Sequence, residues 1–205
     1  MLPDDVLLVI FDFCAYQRGL FKREIEAWQT LVHVCRRWRC VVFGSPRRLN
    51  LRLVCGAETP ARDTLDVWPA LPLVIQCFSS IGIENMDNIV AVLEHSNRVC
   101  HISLNVLGLD LEDISAAMQV PFPELTHLWV TNDETAPVLS ESFLGGSGPR
   151  LRSIIFHGIP FPGLPNLLLS ATHLVDLQLS DIPHSGYFSP ETMATALSMP
   201  PISKA

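Results

Sequence analysis

The chain has 205 residues, of which 48% are apolar and 17% are charged, and its formal net charge is −7. This apolar content excludes a wholly disordered chain, and no apolar run approaches the ~20 residues of a membrane-spanning helix. The acidic start Met-Leu-Pro-Asp-Asp lacks the basic residues of a secretory signal, and six cysteines are too sparse for a disulfide scaffold. We therefore expect a cytoplasmic or nuclear protein, or one found in both compartments, with reduced thiols.

Charge is distributed unevenly along the chain. Residues 1–52 carry nine Lys and Arg against five Asp and Glu, whereas residues 53–205 carry five against sixteen. Surfaces of opposite sign indicate two modules that meet different partners. We place the first module at residues 1–54, a linker at 55–65 and the second module at 66–205.

The first module is predicted to be helical. Pro3 and the two aspartates after it mark a helix start. The apolar residues that follow recur at the spacing of one helical face: Leu7, Ile10, Phe11 and Cys14. A second helix is predicted from about residue 25 to the Ser-Pro pair at 45–46, because proline disfavours helix in the residue before it. It is apolar around much of its girth, so we expect it to be buried on more than one side.

These helices resemble an F-box. The matching positions are the leading Leu-Pro, the Ile-Phe pair that closes the first helix, and the Val-Cys-Arg-x-Trp run of the second. The tail Val-Phe-x-Ser-Pro-Arg-x-Leu at 42–49 is similar to the F-box proteins that are numerous in mushroom-forming fungi. The stretch between Phe11 and Trp28 is longer than the family's usual connection by about ten residues. An ordinary helical hairpin with an apolar core is the alternative.

The F-box resemblance implies a protein–protein interaction subunit and not an enzyme. An F-box binds a Skp-family adaptor and through it a cullin, within a ubiquitin ligase whose other subunits transfer ubiquitin. Apolar anchors at the centre of such an interface carry most of the binding energy. The resemblance assigns the adaptor contact to nine residues: Leu2, Pro3, Val6, Leu7, Ile10, Leu31, Val34, Cys35 and Trp38.

A cluster of arginines follows in the first module: Arg36, Arg37, Arg39, Arg47, Arg48 and Arg52. A phosphate-binding patch is one explanation, and it would make the chain a nucleic-acid-associated repeat protein. The acidic balance of the whole chain and the lack of a recognised nucleic-acid motif argue against nucleic acid as a partner. A solvated helix face, or one complementary to an acidic protein, is the favoured interpretation.

The second module is predicted to consist of repeated units. Short apolar strands are predicted at 49–53, 73–75, 99–104, 125–130, 151–156 and 174–179, with starts 23–26 residues apart. A fixed period in the twenties indicates stacked units. Helix-like pieces are predicted between the strands and after the last one, at 86–94, 111–118, 137–144, 165–170 and 190–198. The sequence therefore predicts a mixed α/β fold in which strand–helix units build a parallel sheet.

The Leu-x-x-Leu-x-Leu core of these units resembles a degenerate leucine-rich repeat. The asparagine ladder of that family is missing, although Asn132 and Asp181 lie near its position. The resemblance implies an irregular solenoid, and a plain α/β sheet domain is the alternative. The chain ends after a helix without an evident polar capping unit, which is expected either of a short member of the group or of a truncated gene product.

Side chains alternate across a strand, so the sequence assigns residues to the two faces of the sheet. One set is expected in the core: Leu104, Leu128, Ile154 and Leu177. Another is expected on the opposite face: Ser103, Trp129, Ile155 and Gln178. Trp129 and Ile155 are apolar on that second face, so we predict that they bind a protein substrate. The alternative is that a loop or the C-terminal segment covers them.

No catalytic or metal site is predicted. The Gly-Gly-Ser-Gly-Pro run at 145–149 lacks the last glycine of a nucleophile elbow and follows a predicted helix, which argues against a small hydrolase. Cys35, Cys40 and His33 lack the spacing of zinc ligands. Paired carboxylates fit helix starts and turns. We therefore expect no cofactor and no enzymatic activity.

Overall fold

The computed structural model of the chain describes residues 2–15, 27–78, 86–132, 134 and 136–198. The fold is mixed α/β, as predicted, and within these ranges it contains a six-stranded sheet and eight α-helices. No helix in the described ranges is long and apolar enough to cross a membrane. The chain forms two compact units, one of Met1–Val54 with Leu65–Pro72 and the other of Cys55–Thr64 with Leu73–Ala205.

Three short helices form most of the first unit: α1 (Asp4–Ala15), α2 (Ala27–Val32) and α3 (Arg36–Gly44). The prediction of one long second helix is wrong, because the chain turns between α2 and α3. There the N–H groups of His33 and Val34 bond to carbonyls three residues back, which tightens the last turn of α2 and ends it. The longer F-box connection falls largely on residues 16–26, which lie outside the described residues.

Aromatic side chains form the core of the first unit. Phe11 is fully buried, and its ring centroid lies 4.7 Å from that of Trp38. Trp28 packs edge-on against Trp68 at 5.2 Å and donates its indole N–H to the carbonyl of Arg52 at 3.1 Å. Aromatic pairs in such tilted arrangements stabilise a core beyond the area that they bury.

The six strands follow one another across the sheet in chain order. They are β1 (Leu53–Cys55), β2 (Leu73–Cys77), β3 (Val99–Asn105), β4 (His127–Thr131), β5 (Ser153–His157) and β6 (Asp176–Ser180). Strands β2 to β6 are parallel, as predicted. The first strand begins later than predicted, because residues 46–50 form turns.

Helices provide most of the connections that parallel strands require. They are α5 (Met86–Leu93) between β2 and β3, α6 (Gly108–Ala117) between β3 and β4, and α7 (Leu164–Ser170) between β5 and β6. A fourth helix, α8 (Pro190–Ser198), follows β6. These four helices were predicted, with boundaries that differ by up to three residues. Helix α4 (Ala61–Val67) was not predicted and begins in the stretch that we assigned to a linker.

The helix predicted over residues 137–144 is absent. An irregular segment and a 3₁₀ turn, Phe143–Gly146, replace it, and Leu144 has a positive φ of 57°. Two long-range hydrogen bonds hold this backbone: Leu139 N–H to the carbonyl of Pro160 at 2.9 Å, and Leu144 N–H to the carbonyl of Met118 at 2.7 Å. The apolar spacing resembled a helix, but these tertiary bonds take the N–H groups that a helix would use.

The core of the second unit contains two adjacent rows of side chains on β3, β4 and β5: Ile102, Leu128 and Ile154 in one, and Leu104, Val130 and Phe156 in the other. All six are at most 2% exposed. On β6 the corresponding Leu177 and Leu179 are only half-buried. The prediction of burial is therefore confirmed for Leu104, Leu128 and Ile154 and wrong for Leu177, whose strand is the last of the sheet order.

All six cysteines are free thiols. Cys14, Cys35 and Cys40 are exposed, whereas Cys55 and Cys77 are buried, and burial raises the pKa of the Cys55 thiol to about 11. We expect the exposed thiols of the folded protein to react with a thiol reagent first, because the thiolate is the nucleophile. After denaturation without reductant, the absorbance of the reacted thiol reagent should correspond to six thiols per chain. A lower number would indicate a disulfide.

Candidate partner-binding surfaces

Helix α1 is apolar on two faces. One face is buried and consists of Leu7, Leu8 and Phe11. The other consists of Val6, Val9, Ile10 and Phe13, which are 39–80% exposed and recur at the spacing of one helical face. We call these four residues the α1 stripe. Several large apolar side chains exposed side by side are typical of a surface that binds a partner.

Other predicted adaptor residues lie at the starts of α1 and α3. Leu2 and Pro3 precede α1, and Val34 and Cys35 precede α3; all four are exposed. Arg37 connects the two segments, because its guanidinium donates to the carboxylate of Asp4 at 2.6 Å and to the carbonyl of Leu2. The structure therefore brings the starts of α1 and α3 together. An exposed ion pair of this kind orients the segments more than it stabilises them.

The remaining predicted adaptor residues belong to internal packing. Leu7 and Leu31 are only 4% and 8% exposed, and Trp38 is half-buried against Phe11. Sequence reasoning missed Val9 and Phe13, the two most exposed members of the α1 stripe. The signal was present as the i, i+3, i+4, i+7 spacing that starts at residue 6. It competed with the spacing that starts at residue 7, since α1 is apolar on most of its circumference.

The six arginines of the cluster fall into two groups, according to the hydrogen bonds that their side chains form. Arg37 is bonded to α1 as described, the Nε of Arg39 donates to the carbonyl of Val32 at 3.0 Å, and the Nε of Arg52 donates to the side chain of Asn50 at 3.3 Å. The other three are exposed: Arg36, Arg47 and Arg48. Half of the cluster thus contributes to local structure in the first unit.

The second unit has a candidate surface on the sheet face opposite its core, which we call the open face. One row across it, from β2 to β6, consists of Gln76, Ser103, Trp129, Ile155 and Gln178. Trp129 is 37% exposed, and Ile155 is half-buried. Buried and more exposed residues alternate along β4 and β5, as predicted. On β3 the alternation is not seen, because Ser103 is only 2% exposed although it belongs to the same row.

Phe78 extends the apolar part of the open face. Its ring centroid lies 6.3 Å from that of Trp129, edge to face, and it is 49% exposed. Trp129 itself is 37% exposed, and helix α8 of the C-terminal segment packs against α7. The open face therefore presents two aromatic rings to solvent, and aromatic residues are enriched at protein interfaces.

Histidines flank this aromatic pair. His101 and His127 are partners in the strand register, and their rings stack at 5.3 Å. Thr126 donates its hydroxyl proton to the carbonyl of Cys100 at 2.8 Å. The hydroxyl oxygen of Thr126 also lies 2.8 Å from the Nδ1 of His127, within hydrogen-bond distance. The open face thus combines an apolar centre with polar groups around it.

Within the described residues, no group of three or more His, Cys, Asp or Glu side chains could hold a metal ion. The glycine-rich run at 145–149 overlaps the end of a 3₁₀ turn and precedes β5, which is not the strand–turn–helix context of a nucleophile elbow.

Comparisons with known proteins identify no relative: no family model, no curated protein and no solved structure matches the chain. We therefore infer the function of the chain from its residues and from the two surfaces.

Proposed function

We propose that the chain is the substrate-receptor subunit of a Skp-cullin-F-box type ubiquitin ligase. In this proposal residues 2–54 act as an F-box that binds a Skp-family adaptor, and the adaptor connects the chain to a cullin. The strand–helix units act as an irregular leucine-rich-like solenoid that binds a protein substrate in the cytoplasm or nucleus. Ubiquitin transfer takes place on other subunits, so the chain itself contributes binding and orientation.

The α1 stripe is the observation that carries this proposal. An F-box helix has to satisfy two requirements, since it packs on its own neighbours and also offers apolar side chains to the adaptor. Helix α1 meets both through its buried face and its exposed stripe. Fully burying one side chain of this size contributes roughly 1.5–3 kcal/mol. Val34 and Leu2, 59% and 51% exposed, provide further apolar contacts.

Co-expression with a Skp-family adaptor tests the proposal. We expect a stable complex whose affinity changes little between low and moderate salt, because apolar burial drives its formation. The phosphate-binding alternative predicts nucleic-acid binding through the arginines that weakens by about 10³-fold or more over that range, if about six phosphates are contacted. A chain that binds nucleic acid in this manner and does not bind the adaptor would contradict the proposal.

For the substrate surface, we expect Trp129→Ala to remove substrate capture and to leave the chain folded. Because Trp129 is 37% exposed, its loss should cost about 1–2 kcal/mol of stability, less than the ~3–5 kcal/mol of a core tryptophan. Loss of a central interface tryptophan typically costs at least about 2 kcal/mol of binding, or ~30-fold in affinity. Urea unfolding measures the first quantity, and quantitative mass spectrometry of proteins captured by the chain–adaptor complex measures the second.

The matched control for this test is Val138→Ala. Val138 is 51% exposed in the same unit and lies outside the open face, so its loss should change neither stability nor capture. A large loss of stability in Trp129→Ala would show that Trp129 is a core residue, and the substrate site would then be rejected.

A further inference from the structure

The sheet of the second unit ends on an exposed edge. Within the described residues, the strand order stops at β6. Leu177 and Leu179 are half-buried there, whereas their register partners Ile154 and Phe156 on β5 are at most 1% exposed. Val175, immediately before β6, is 86% exposed. The apolar rows of the core therefore reach solvent along the outer side of β6.

The hydrogen bonds to β5 determine which backbone groups of β6 face outward. The N–H of Asp176 donates to the carbonyl of Arg152 at 3.0 Å, and the carbonyl of Ser180 accepts from the N–H of Gly158 at 3.0 Å. Successive residues of a strand direct these groups to opposite sides. The N–H and C=O groups of Leu177 and Leu179 consequently point away from β5, toward the exposed edge. Such a row of groups is a template for another strand.

We propose that β6 pairs with β6 of a second copy of the chain, in antiparallel orientation about a twofold axis at Gln178. In this register Leu177 lies opposite Leu179 of the second copy, and the two exchange both of their N–H···O=C bonds. Leu179 does the same with Leu177 of the second copy. The outward groups of both strands are thus satisfied in hydrogen-bonded pairs, and Gln178 forms the non-hydrogen-bonded pair on the axis.

The side chains of β6 favour this self-pairing. On the core side leucine meets leucine, which continues the apolar rows of each copy into the other. On the open face Asp176 lies opposite Ser180, so no like charges face each other directly. Asp176 also accepts hydrogen bonds within its own copy, from the side chains of Gln178 at 3.1 Å and Ser153 at 3.3 Å.

Strand β6 lacks several of the features by which monomeric proteins block an edge. It contains no lysine, no proline and no bulge, and apolar and polar residues alternate along its sequence Asp-Leu-Gln-Leu-Ser. Its one charged side chain, Asp176, accepts hydrogen bonds within its own copy. Because only five residues pair, the interface is smaller than that of a permanent dimer. We therefore expect a reversible, concentration-dependent dimer with isologous contacts.

A cysteine placed on the twofold axis tests this arrangement. In Gln178→Cys the two introduced residues form a non-hydrogen-bonded pair with Cα atoms about 4.5 Å apart, which a disulfide can bridge. In the matched control Asp176→Cys the two cysteines would lie roughly 14 Å apart. Both variants carry serine at the exposed native cysteines: Cys14, Cys35 and Cys40.

We expect mild oxidation to convert most of Gln178→Cys to a disulfide-linked dimer and to leave Asp176→Cys monomeric, with mass spectrometry locating the link at residue 178. In sedimentation equilibrium, the wild-type mass should rise toward that of two chains with concentration. Leu179→Lys and Leu179→Pro should weaken the dimer at least tenfold, while circular dichroism reports that they remain folded. If neither Leu179 variant folds, the comparison of cross-linking in Gln178→Cys and Asp176→Cys is the test of the proposed pairing.

Two results would overturn the proposal. One is equal cross-linking of the two cysteine variants, which would indicate random encounter. The other is a wild-type chain that stays monomeric up to about 200 µM, a concentration at which a micromolar dimer would be largely formed, together with no link at residue 178. Pairing of β6 with a strand from a different protein would give this second result.

Discussion

Replacing Ile10 by aspartate should weaken binding to a Skp-family adaptor by at least about 100-fold. Ile10 lies in the middle of the α1 stripe and is 39% exposed. In an apolar interface the new carboxylate would be desolvated without a partner, and burying an unpaired charge costs several kcal/mol in practice. Calorimetry with the purified adaptor measures the loss, and circular dichroism reports whether the helices are retained.

Matched variants separate binding from folding in this experiment. Val9→Asp changes a more exposed member of the α1 stripe, at 60%, and should give the same loss with less risk to the fold. Val67→Asp introduces the same charge at a valine that is 75% exposed in the same unit, outside α1, and should bind normally. Leu7→Asp is unsuitable because Leu7 is buried. Adaptor binding by Ile10→Asp and Val9→Asp within threefold of the wild type would show that the α1 stripe is not the contact.

The parallel sheet could be predicted because two independent patterns agreed. The period in the twenties predicted stacked units, and the alternation along each strand assigned Trp129 and its neighbours to the correct faces. Parallel strands with one buried face leave little freedom of register, since a shift by one residue would expose the whole apolar row. The register partners Leu128 and Ile154 illustrate this constraint, because both are fully buried.

The errors arose where local pattern and tertiary contacts disagreed. The apolar spacing over 137–144 suited a helix, yet Leu139 and Leu144 bond to distant carbonyls instead. The break between α2 and α3 had no glycine or proline to signal it. Leu177 was expected to be buried because its motif matched those before it. Its exposure depends on the absence of a seventh strand from the described sheet order, which a local motif does not encode.

The candidate adaptor surface was predicted only in part, for a related reason. A sequence shows that α1 is apolar, but it does not show which of two overlapping stripes packs inward. In the structure Leu7 and Leu8 are buried on the same face of α1 as Phe11, whereas Val9 and Phe13 are exposed to solvent. Exposure was therefore needed to separate residues that can bind a partner from residues that hold the helices together.

Truncating Ile154 to alanine should destabilise the second unit by about 2–5 kcal/mol, whereas Leu177→Ala should cost only about 1 kcal/mol. The two residues are register partners in the same core row, and each loses side-chain methyl and methylene groups. Ile154 is fully buried between two strands, so its loss leaves a cavity that the packed neighbours cannot fill. Leu177 is half-buried on the last strand, where solvent can reach the vacated space.

Urea unfolding followed by circular dichroism measures the loss of stability in both variants, at protein concentrations low enough to keep the chain monomeric.

The comparison of the two variants also tests whether the β6 edge of the sheet pairs with a second copy. If β6 pairs with a second copy, the cost of Leu177→Ala should rise toward that of a buried residue as concentration increases, because dimerisation stabilises the folded state by mass action. The cost of Ile154→Ala should not change in this way. Equal costs for the two variants at low concentration would contradict an exposed β6 edge, and with it the proposed pairing.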